Sequence, residues 1–242
     1  MSEGASRSPG APPVQAEALA SLLEQSAGAV WRVGPQGGVS AFAAGAYLPT
    51  GFPRLSAVLP GGGWPVGTLV EVLSAGSGVG EVSLWLPALQ RWAAGGPVRA
   101  CDDGARVPAK PRWLAWVRPP YVPYGPALAQ AGVQPEQVLW VAPESPAEAL
   151  WAMEQALRSG ACAAVFGWAH PADDHALRRL KLAAAQGGAL GVLFRPLAQV
   201  AVASPASLRL VLHPRPAGGL DIEVLKCQGG RPGWVRDALR HG

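Results

Sequence analysis

The sequence has few cysteines, few charges and no long apolar segment, and each shortage excludes a class of protein. Its three cysteines, Cys101, Cys162 and Cys227, follow none of the spacings with which cysteine and histidine bind zinc. Charged residues make up 15% of the chain, the net charge is +4, and no single basic stripe of the kind typical of nucleic-acid binders is present. No apolar run reaches the ~18 residues of a membrane-spanning helix. We therefore expect a cytoplasmic protein without a metal site, and with weak or absent DNA binding.

The composition predicts one α/β domain between two tails. Residues 1–29 combine a Pro- and Ser-rich segment with a short helix predicted over Gln15–Gln25. Residues 30–230 form the predicted core domain, because 49% of the chain is hydrophobic and can supply a buried core. Residues 231–242 are predicted to be a flexible C-terminal tail.

The stretch from Leu59 to Leu86 has the order of elements that a phosphate-binding loop requires. Thr68–Leu73 is an apolar, β-branched run typical of a buried strand, and Ser83–Ala94 has apolar residues at helical spacing. A glycine-rich loop between strand and helix can approach a phosphate closely. The loop contains three glycines, Gly76, Gly78 and Gly80.

The loop lacks the side chains that would bind a nucleotide. With Gly80 placed on the last glycine of the pattern GxxxxGK[ST], Glu81 stands at the lysine position and Val82 at the hydroxyl position. A carboxylate would repel phosphates instead of attracting them. We interpret the loop as a degenerate, structural turn that binds no cofactor, with weak anion binding at the helix N-terminus as the alternative.

Several motifs resemble known families. The run from Thr50 to Glu81 resembles the opening of the RecA core, and six motifs in order resemble the ImuA family of SulA-like and RecA-like proteins. These motifs are LPGGGWPVGTLVEVL, GVGEVSLWLPAL, AWVRPPYVPYGPAL, ALWAMEQALRSGAC, LRRLKLAAAQGGALGVLFRP and SPASLRL. The resemblance extends over roughly Val30 to Gly230 and implies an α/β, RecA-like core with a mainly parallel central sheet flanked by helices.

The resemblance to RecA also shows which catalytic groups are missing. RecA-type ATPases have a glutamate after the strand that corresponds to Arg112–Val117, where this chain has Arg118. They have an aspartate at the end of the strand that corresponds to Ala161–Trp168, where this chain has Gly167 and Trp168. Together with Glu81, these replacements predict that the protein is not an enzyme.

The resemblance to ImuA implies a non-catalytic accessory role in damage-induced (SOS) translesion DNA synthesis and mutagenesis. Its implied partners are an ImuB-type polymerase-related protein with its polymerase complex, and RecA. The loops that would correspond to the DNA-binding loops of RecA, Ala169–Asp173 and Pro196–Ala206, contain no Lys or Arg. The alternative function is a SulA-like inhibitor of cell division that acts on FtsZ.

Two segments contain candidate partner-binding residues. Pro119–Gly132 is rich in proline and tyrosine, and Tyr121 and Tyr124 either pack inside the fold or form an exposed contact surface. The C-terminal tail either anchors in a partner's groove or folds back on the domain. The candidate anchors in the tail are Trp234, Val235 and Leu239.

The periodicity predicts the regular elements of the core. A capping box, formed by Ser145 and Glu148 with Pro146 between them, starts the clearest helix, which Gly160 ends. An aspartate at 173 or 174 caps the following helix. The strands of the sheet are predicted at Thr68–Leu73, Arg112–Val117, Val138–Val141, Cys162–Gly167 and Ala189–Phe194.

Overall fold

A computed structural model describes residues 30–32, 46–93, 98–99, 106–107, 112–216 and 218–239. The predicted N-terminal helix lies outside these residues. The helices are α1 (Pro53–Ser56), α2 (Leu86–Ala93), α3 (Gly125–Gln130), α4 (Pro146–Arg158) and α5 (Asp174–Gly187). The strands are β1 (Val30–Arg32), β2 (Tyr47–Pro49), β3 (Gly63–Pro65), β4 (Thr68–Ser74), β5 (Val98–Arg99), β6 (Arg106–Val107), β7 (Trp113–Val117), β8 (Val138–Val141), β9 (Cys162–Gly167), β10 (Leu190–Pro196), β11 (Leu208–Pro214), β12 (Leu220–Cys227) and β13 (Gly233–Leu239).

A nine-stranded mixed sheet forms the centre of the fold, in the order β1-β8-β7-β9-β10-β4-β11-β12-β13. The strands from β8 to β11 in this order run parallel. Strand β1 is antiparallel to β8 at one edge, and β12 and β13 continue the other edge as antiparallel strands. A second, four-stranded sheet has the order β3-β2-β5-β6 and is antiparallel.

The predicted fold class, a RecA-like core with a mainly parallel, helix-flanked sheet, is wrong. The sheet is mixed, a separate antiparallel sheet is present, and within the described residues only α4 and α5 are longer than eight residues. The connections that follow β11 and β12 are short turns, which permit only antiparallel pairing because a parallel crossover needs a dozen or more residues. The five predicted strands are nevertheless present, with ends that differ by at most two residues.

The parallel strands are buried on both faces, as strands of this kind usually are. Leu69 of β4 and Leu193 of β10 belong to the cluster beneath α4 and α5. Their neighbours Val70, Val192 and Phe194 point to the opposite face, where α2 and the small sheet cover them. None of the helices in the described part of the chain has the length and apolar character that crossing a bilayer requires.

The helices α4 and α5 begin where the sequence predicts. The Ser145 hydroxyl accepts the Glu148 N–H at 3.2 Å, and the Glu148 carboxylate accepts the Ser145 N–H, which confirms the capping box. Asp173 caps α5 by accepting the Ala176 N–H at 2.7 Å. Each cap satisfies donors that the first helical turn leaves free, and each stabilises its helix by about 1 kcal/mol.

Arg112, directly before β7, connects the C-terminal ends of α4 and α5 to the sheet through hydrogen bonds. Its buried guanidinium donates to the carbonyl of Gly160 at 2.7 and 3.0 Å, after the end of α4. It also donates to the carbonyls of Gly187 and Gly188 at 2.7 and 3.0 Å, at the end of α5. A cation at two helix C-termini is favourable because both ends carry partial negative charge. Burial lowers the pKa of Arg112 to about 10, so the group stays protonated at neutral pH.

The C-terminal segment is part of the sheet, so the prediction of a flexible tail is wrong for Gly233–Leu239. Asp221 of β12 accepts the backbone N–H of Asp237 at 2.7 Å and the Arg236 guanidinium at 2.9 Å. Asp237 has a φ of 55° and its carboxylate pairs with Arg215 at 2.8 Å. These contacts hold β13 against β12 at an irregularity in their register.

We expect Asp221 to make the attachment of β13 sensitive to acid. The backbone N–H of Asp237 and then Arg236 hold the pKa of the Asp221 carboxyl below its usual range. This stabilisation is complete above the unfolded-state pKa of about 3.9 and is lost as the pH falls through the lower folded-state pKa. Asp221→Asn should therefore lower the urea midpoint of unfolding at neutral pH, and the difference from the native protein should shrink in acid. A difference that is the same at every pH would contradict this prediction.

Candidate functional site

A cavity of about 560 Å³ lies at the carboxyl ends of β4, β7, β9 and β10. Ligand sites of α/β proteins form at this edge of the sheet, because the loops that leave parallel strands converge there. The cavity is bordered by the glycine loop after β4 and by the residues that follow β7 and β9. Its lining includes Ser74, Gly76, Ser77, Glu81, Arg118, Trp168, His170 and Arg195.

The glycine loop folds around a carboxylate of its own. Gly78 and Gly80 adopt φ values of 80° and 95°, a region that favours glycine. In this conformation the N–H groups of Gly78 and Val79 both point at Glu81, at 2.8 Å and 2.9 Å from its two carboxylate oxygens. These are the donors with which such a loop would hold a phosphate. The buried Glu81 carboxylate therefore occupies the position that an anion would take, and Val82 provides no hydroxyl.

Arg118 and Trp168, which stand where RecA-type ATPases have catalytic carboxylates, line the same cavity. Arg118 follows β7 with a φ of 52°, and its N–H donates to Val141 at 2.7 Å. Trp168 follows β9, and its ring stacks on Phe194 with centroids 4.4 Å apart and an interplanar angle of 17°. An aromatic stack and a guanidinium thus stand where an ATPase of the RecA type would need carboxylates.

We expect the protein to bind ATP weakly or not at all and not to hydrolyse it, which stays a prediction. Glu81→Lys with Val82→Thr should not restore turnover, because the new lysine would leave the cavity without a carboxylate to activate water. Fluorescent-nucleotide titration and phosphate release measure the two properties. Tight, magnesium-dependent ATP binding by the native protein would contradict the prediction.

An apolar groove of about 340 Å³ lies beside this cavity. We call it the tyrosine groove, because the segment Pro119–Tyr124 forms its outer wall. The opposite wall is the turn from Gly78 to Ser83. The floor consists of the buried Trp116 and Leu128 and the partly buried Leu86 and Trp168.

The outer wall carries the most exposed apolar side chains that the structure describes. Tyr121, Val122 and Tyr124 are 72%, 66% and 70% exposed. The prolines of this segment restrict its backbone, and the Tyr124 carbonyl accepts the N–H groups of Ala127 and Leu128 as α3 begins. The wall is therefore a stiff, apolar projection, and contiguous exposed apolar surface of this kind marks an interaction site.

This exposure decides between the two interpretations of the tyrosines. They form a surface and do not pack inside the fold. Val122 is a further residue of this surface that was not predicted, although its place between the two tyrosines in a proline-rich segment was a usable signal.

The candidate partner-binding residues of the C-terminal segment are less exposed than the two tyrosines. Val235 and Leu239 belong to β13 and are buried in the hydrophobic core. They cannot anchor in a partner's groove. Trp234 is 45% exposed, with the Arg236 guanidinium 4.0 Å from its ring centroid and the His213 ring at 4.7 Å.

Three buried charged residues next to the cavity, Glu71, Arg195 and Arg209, were not among the predicted site residues. Glu71, with a fully buried side chain, accepts Arg195 at 2.5 Å and Arg209 at 2.7 Å. Arg195 also donates to the Ala172 carbonyl and to Gln199, which links β4, β10 and β11 to the loops above them. The signal was available, because each charge interrupts an otherwise apolar strand.

Residues 105–191 match the family model described as SulA, cell division inhibitor SulA. The cell division inhibitor SulA of Edwardsiella piscicida is 36% identical over 95 residues, which cover 39% of this chain and 56% of that protein. The SulA of Yersinia pestis (strain Pestoides F) is 33% identical over 102 residues, which cover 42% of this chain and 61% of that protein. The chain therefore spans less than two thirds of the length of these relatives.

Among solved structures, the crystal structure of SulA from Pseudomonas aeruginosa aligns with a TM-score of 0.40 and 26% identity. The alignment covers 52% of this chain and 97% of that chain.

The match to the SulA family model and the sequence similarity to the two SulA proteins overturn the assignment to the ImuA family. Two of the six motifs that suggested it lie inside residues 105–191, which match SulA, and a third overlaps them. The expected role in translesion synthesis and mutagenesis is wrong, and so are the expected ImuB-type, polymerase and RecA partners. The alternative, a SulA-like protein, has the better support.

Proposed function

We propose that this protein inhibits cell division by binding another protein, without catalysis, and that its target is FtsZ. The observation that carries the proposal is the match of residues 105–191 to the family of cell division inhibitors named SulA. This segment includes the outer wall of the tyrosine groove and the helices α3, α4 and α5. FtsZ acts in the cytoplasm, so we place this protein there as well.

The tyrosine groove supports the proposal physically. Tyr121 and Tyr124 offer large contact areas, and their stiff backbone limits the entropy that binding would cost. Next to them, the groove can receive an apolar side chain of a partner. Arg118, which lines the neighbouring cavity and directly precedes the wall of the groove, has no ion pair with any residue that the structure describes, so a carboxylate of the partner could pair with it.

The chemistry of the neighbouring cavity agrees with action by binding. The donors of the glycine loop are used by Glu81, and the positions after β7 and β9 hold Arg118 and Trp168. This edge of the sheet supplies shape and apolar surface to a partner, which is what an inhibitor that acts by occlusion needs.

The test is an assembly assay with purified proteins. FtsZ is polymerised with GTP at increasing amounts of this protein, and polymer is measured by sedimentation together with phosphate release. We expect both to fall as this protein approaches the concentration of FtsZ, and cells that express it to grow as filaments. Unchanged polymer and phosphate release at an excess of this protein would refute the proposal.

A further inference from the structure

The cavity beside the tyrosine groove has more positive than negative charge around it. Its charged lining residues are Glu81, Arg118 and Arg195. Arg195 also belongs to the buried ion group in which one carboxylate, that of Glu71, is shared by two guanidinium groups, those of Arg195 and Arg209. This ion group therefore carries an excess positive charge in a medium of low polarity, which is unfavourable unless a negative charge comes close.

The two glutamates beside the cavity are fully used by partners within the chain. Glu71 accepts the two buried arginines, and Glu81 accepts two N–H groups of the glycine loop. Arg118 forms no ion pair with any residue that the structure describes. The buried Nε–H of Arg195 also has no acceptor in the described part of the chain. The cavity thus lacks the negative charge that its arginines favour.

The backbone of Arg118 has a conformation that suits glycine better than arginine. Its φ is 52°, in the left-handed region, where the Cβ atom crowds the following carbonyl. The Arg118 N–H donates to the Val141 carbonyl at 2.7 Å, which supports this conformation at the end of β7. Backbone strain of this kind clusters at functional sites, and here it belongs to a charged residue in the lining of a cavity.

The cavity and the tyrosine groove share a wall. Glu81, Pro119, Pro120 and Trp168 line both of them. Because the same residues border the two spaces, neighbouring side chains of one partner segment can enter them together. The cavity offers a cation to such a segment, and the groove offers apolar surface.

The lining of the cavity favours a carboxylate over a phosphate. A phosphate group carries about two negative charges and several acceptor oxygens, and the loop N–H groups that would bind it are occupied by Glu81. A carboxylate needs only one guanidinium group, which binds both of its oxygens at once. The stacked rings of Trp168 and Phe194, together with Pro119 and Pro120, add apolar walls that suit the aliphatic part of an acidic side chain.

We propose that the cavity binds an acidic side chain of the protein partner, paired with Arg118, while an apolar neighbour in the same segment enters the tyrosine groove. The partner is thereby defined by its chemistry, as a protein segment with an aspartate or glutamate next to an apolar residue. The inference deepens the proposed function, on which it rests for the identity of the partner as FtsZ. Binding of a carboxylate at Arg118 does not depend on that identity.

A short peptide tests the cavity without FtsZ. The probe is acetyl-Leu-Glu-Leu-amide, and its neutral counterpart is acetyl-Leu-Gln-Leu-amide. The readout is the NMR signal of the Arg118 Nε–H group, assigned by its absence from the spectrum of Arg118→Asn. We expect this signal to shift saturably with the glutamate peptide and not with the glutamine peptide. Equal responses to both peptides, no response to either, or a stronger response to inorganic phosphate would overturn the inference.

The affinity for FtsZ tests the same contact in the complete complex. Arg118→Asn removes the charge and suits the backbone, because asparagine tolerates the left-handed conformation. Loss of a charge-assisted hydrogen bond should weaken binding about tenfold or more. The remaining affinity should depend less on salt than that of the native protein. Arg118→Lys, which keeps the charge without the planar fork, should lie between the two.

The matched control is Arg178→Gln. It removes the same charge from an exposed position on α5 that lines neither the cavity nor the groove. We expect its affinity for FtsZ and its salt dependence to be those of the native protein. Equal weakening by this control would show that the net charge of the protein causes the effect, which overturns the inference.

The two experiments distinguish this inference from the proposed function. If the peptides behave as expected but FtsZ binds neither the native protein nor its variants, the carboxylate site stands and the proposed function fails. If FtsZ binds the native protein and Arg118→Asn with the same affinity and the same salt dependence, the proposed function stands and the inference fails.

Discussion

Changing Tyr121 and Tyr124 together to serine is expected to abolish the inhibition of FtsZ assembly while the protein stays folded. Both side chains are about 70% exposed, so their removal leaves no cavity in the core. Aromatic anchors of an interface typically cost about 2 kcal/mol each on truncation. Since 1.4 kcal/mol is a factor of ten, the double variant should bind FtsZ several hundredfold more weakly, by roughly 4 kcal/mol. The measurement is the Kd for FtsZ, with sedimentation of FtsZ polymer as the functional assay.

The matched control is Leu182→Ser. Leu182 is 62% exposed on α5 and does not line the tyrosine groove, so it tests whether the loss of any exposed apolar side chain has the same effect. We expect its affinity for FtsZ and its unfolding midpoint to be those of the native protein. Equal weakening by the control, or full inhibition by the tyrosine variant, would show that the groove is not the binding surface.

Changing Glu71 to glutamine is expected to be the most damaging single substitution for stability. Its carboxylate neutralises two arginines whose side chains are only 1% and 8% exposed. Removing one member of a buried ion group leaves the others uncompensated in a medium of low polarity, which costs about 3–5 kcal/mol. Urea unfolding followed by circular dichroism measures this change in the free energy of unfolding.

A triple variant separates the effect of charge from the effect of shape. Glu71→Leu, Arg195→Met and Arg209→Leu replace the whole ion group by apolar side chains, and such replacements are often neutral or stabilising. We expect the triple variant to recover most of the stability that Glu71→Gln loses. Glu223→Gln, at a partly exposed carboxylate on β12, is the control and should cost less than about 1 kcal/mol. If Glu71→Gln is as mild as this control, the ion group does not stabilise the fold.

Local elements of the fold could be predicted from the sequence because they depend on neighbours along the chain. The capping box of α4 needs only Ser145 and Glu148, and the burial of β4 follows from its mainly apolar, β-branched sequence. The sequence also showed that Glu81 stands where a nucleotide loop needs lysine. It could not show that the carboxylate turns back to the N–H groups of Gly78 and Val79, since this depends on the path of the loop.

The sequence by itself determined the five predicted strands of the large sheet, the caps of two helices, and the lack of a phosphate-binding cation in the glycine loop. Only the tertiary structure decided which strands pair, because β4 lies between β10 and β11, two strands that are far from it in the sequence. It also decided which aromatic residues a partner can reach. Tyr121 and Val235 are both apolar residues near glycine and proline in the sequence, yet one projects from a stiff loop and the other is buried in the hydrophobic core. Exposure follows from what packs against a side chain, and those contacts come from residues that the local sequence does not contain.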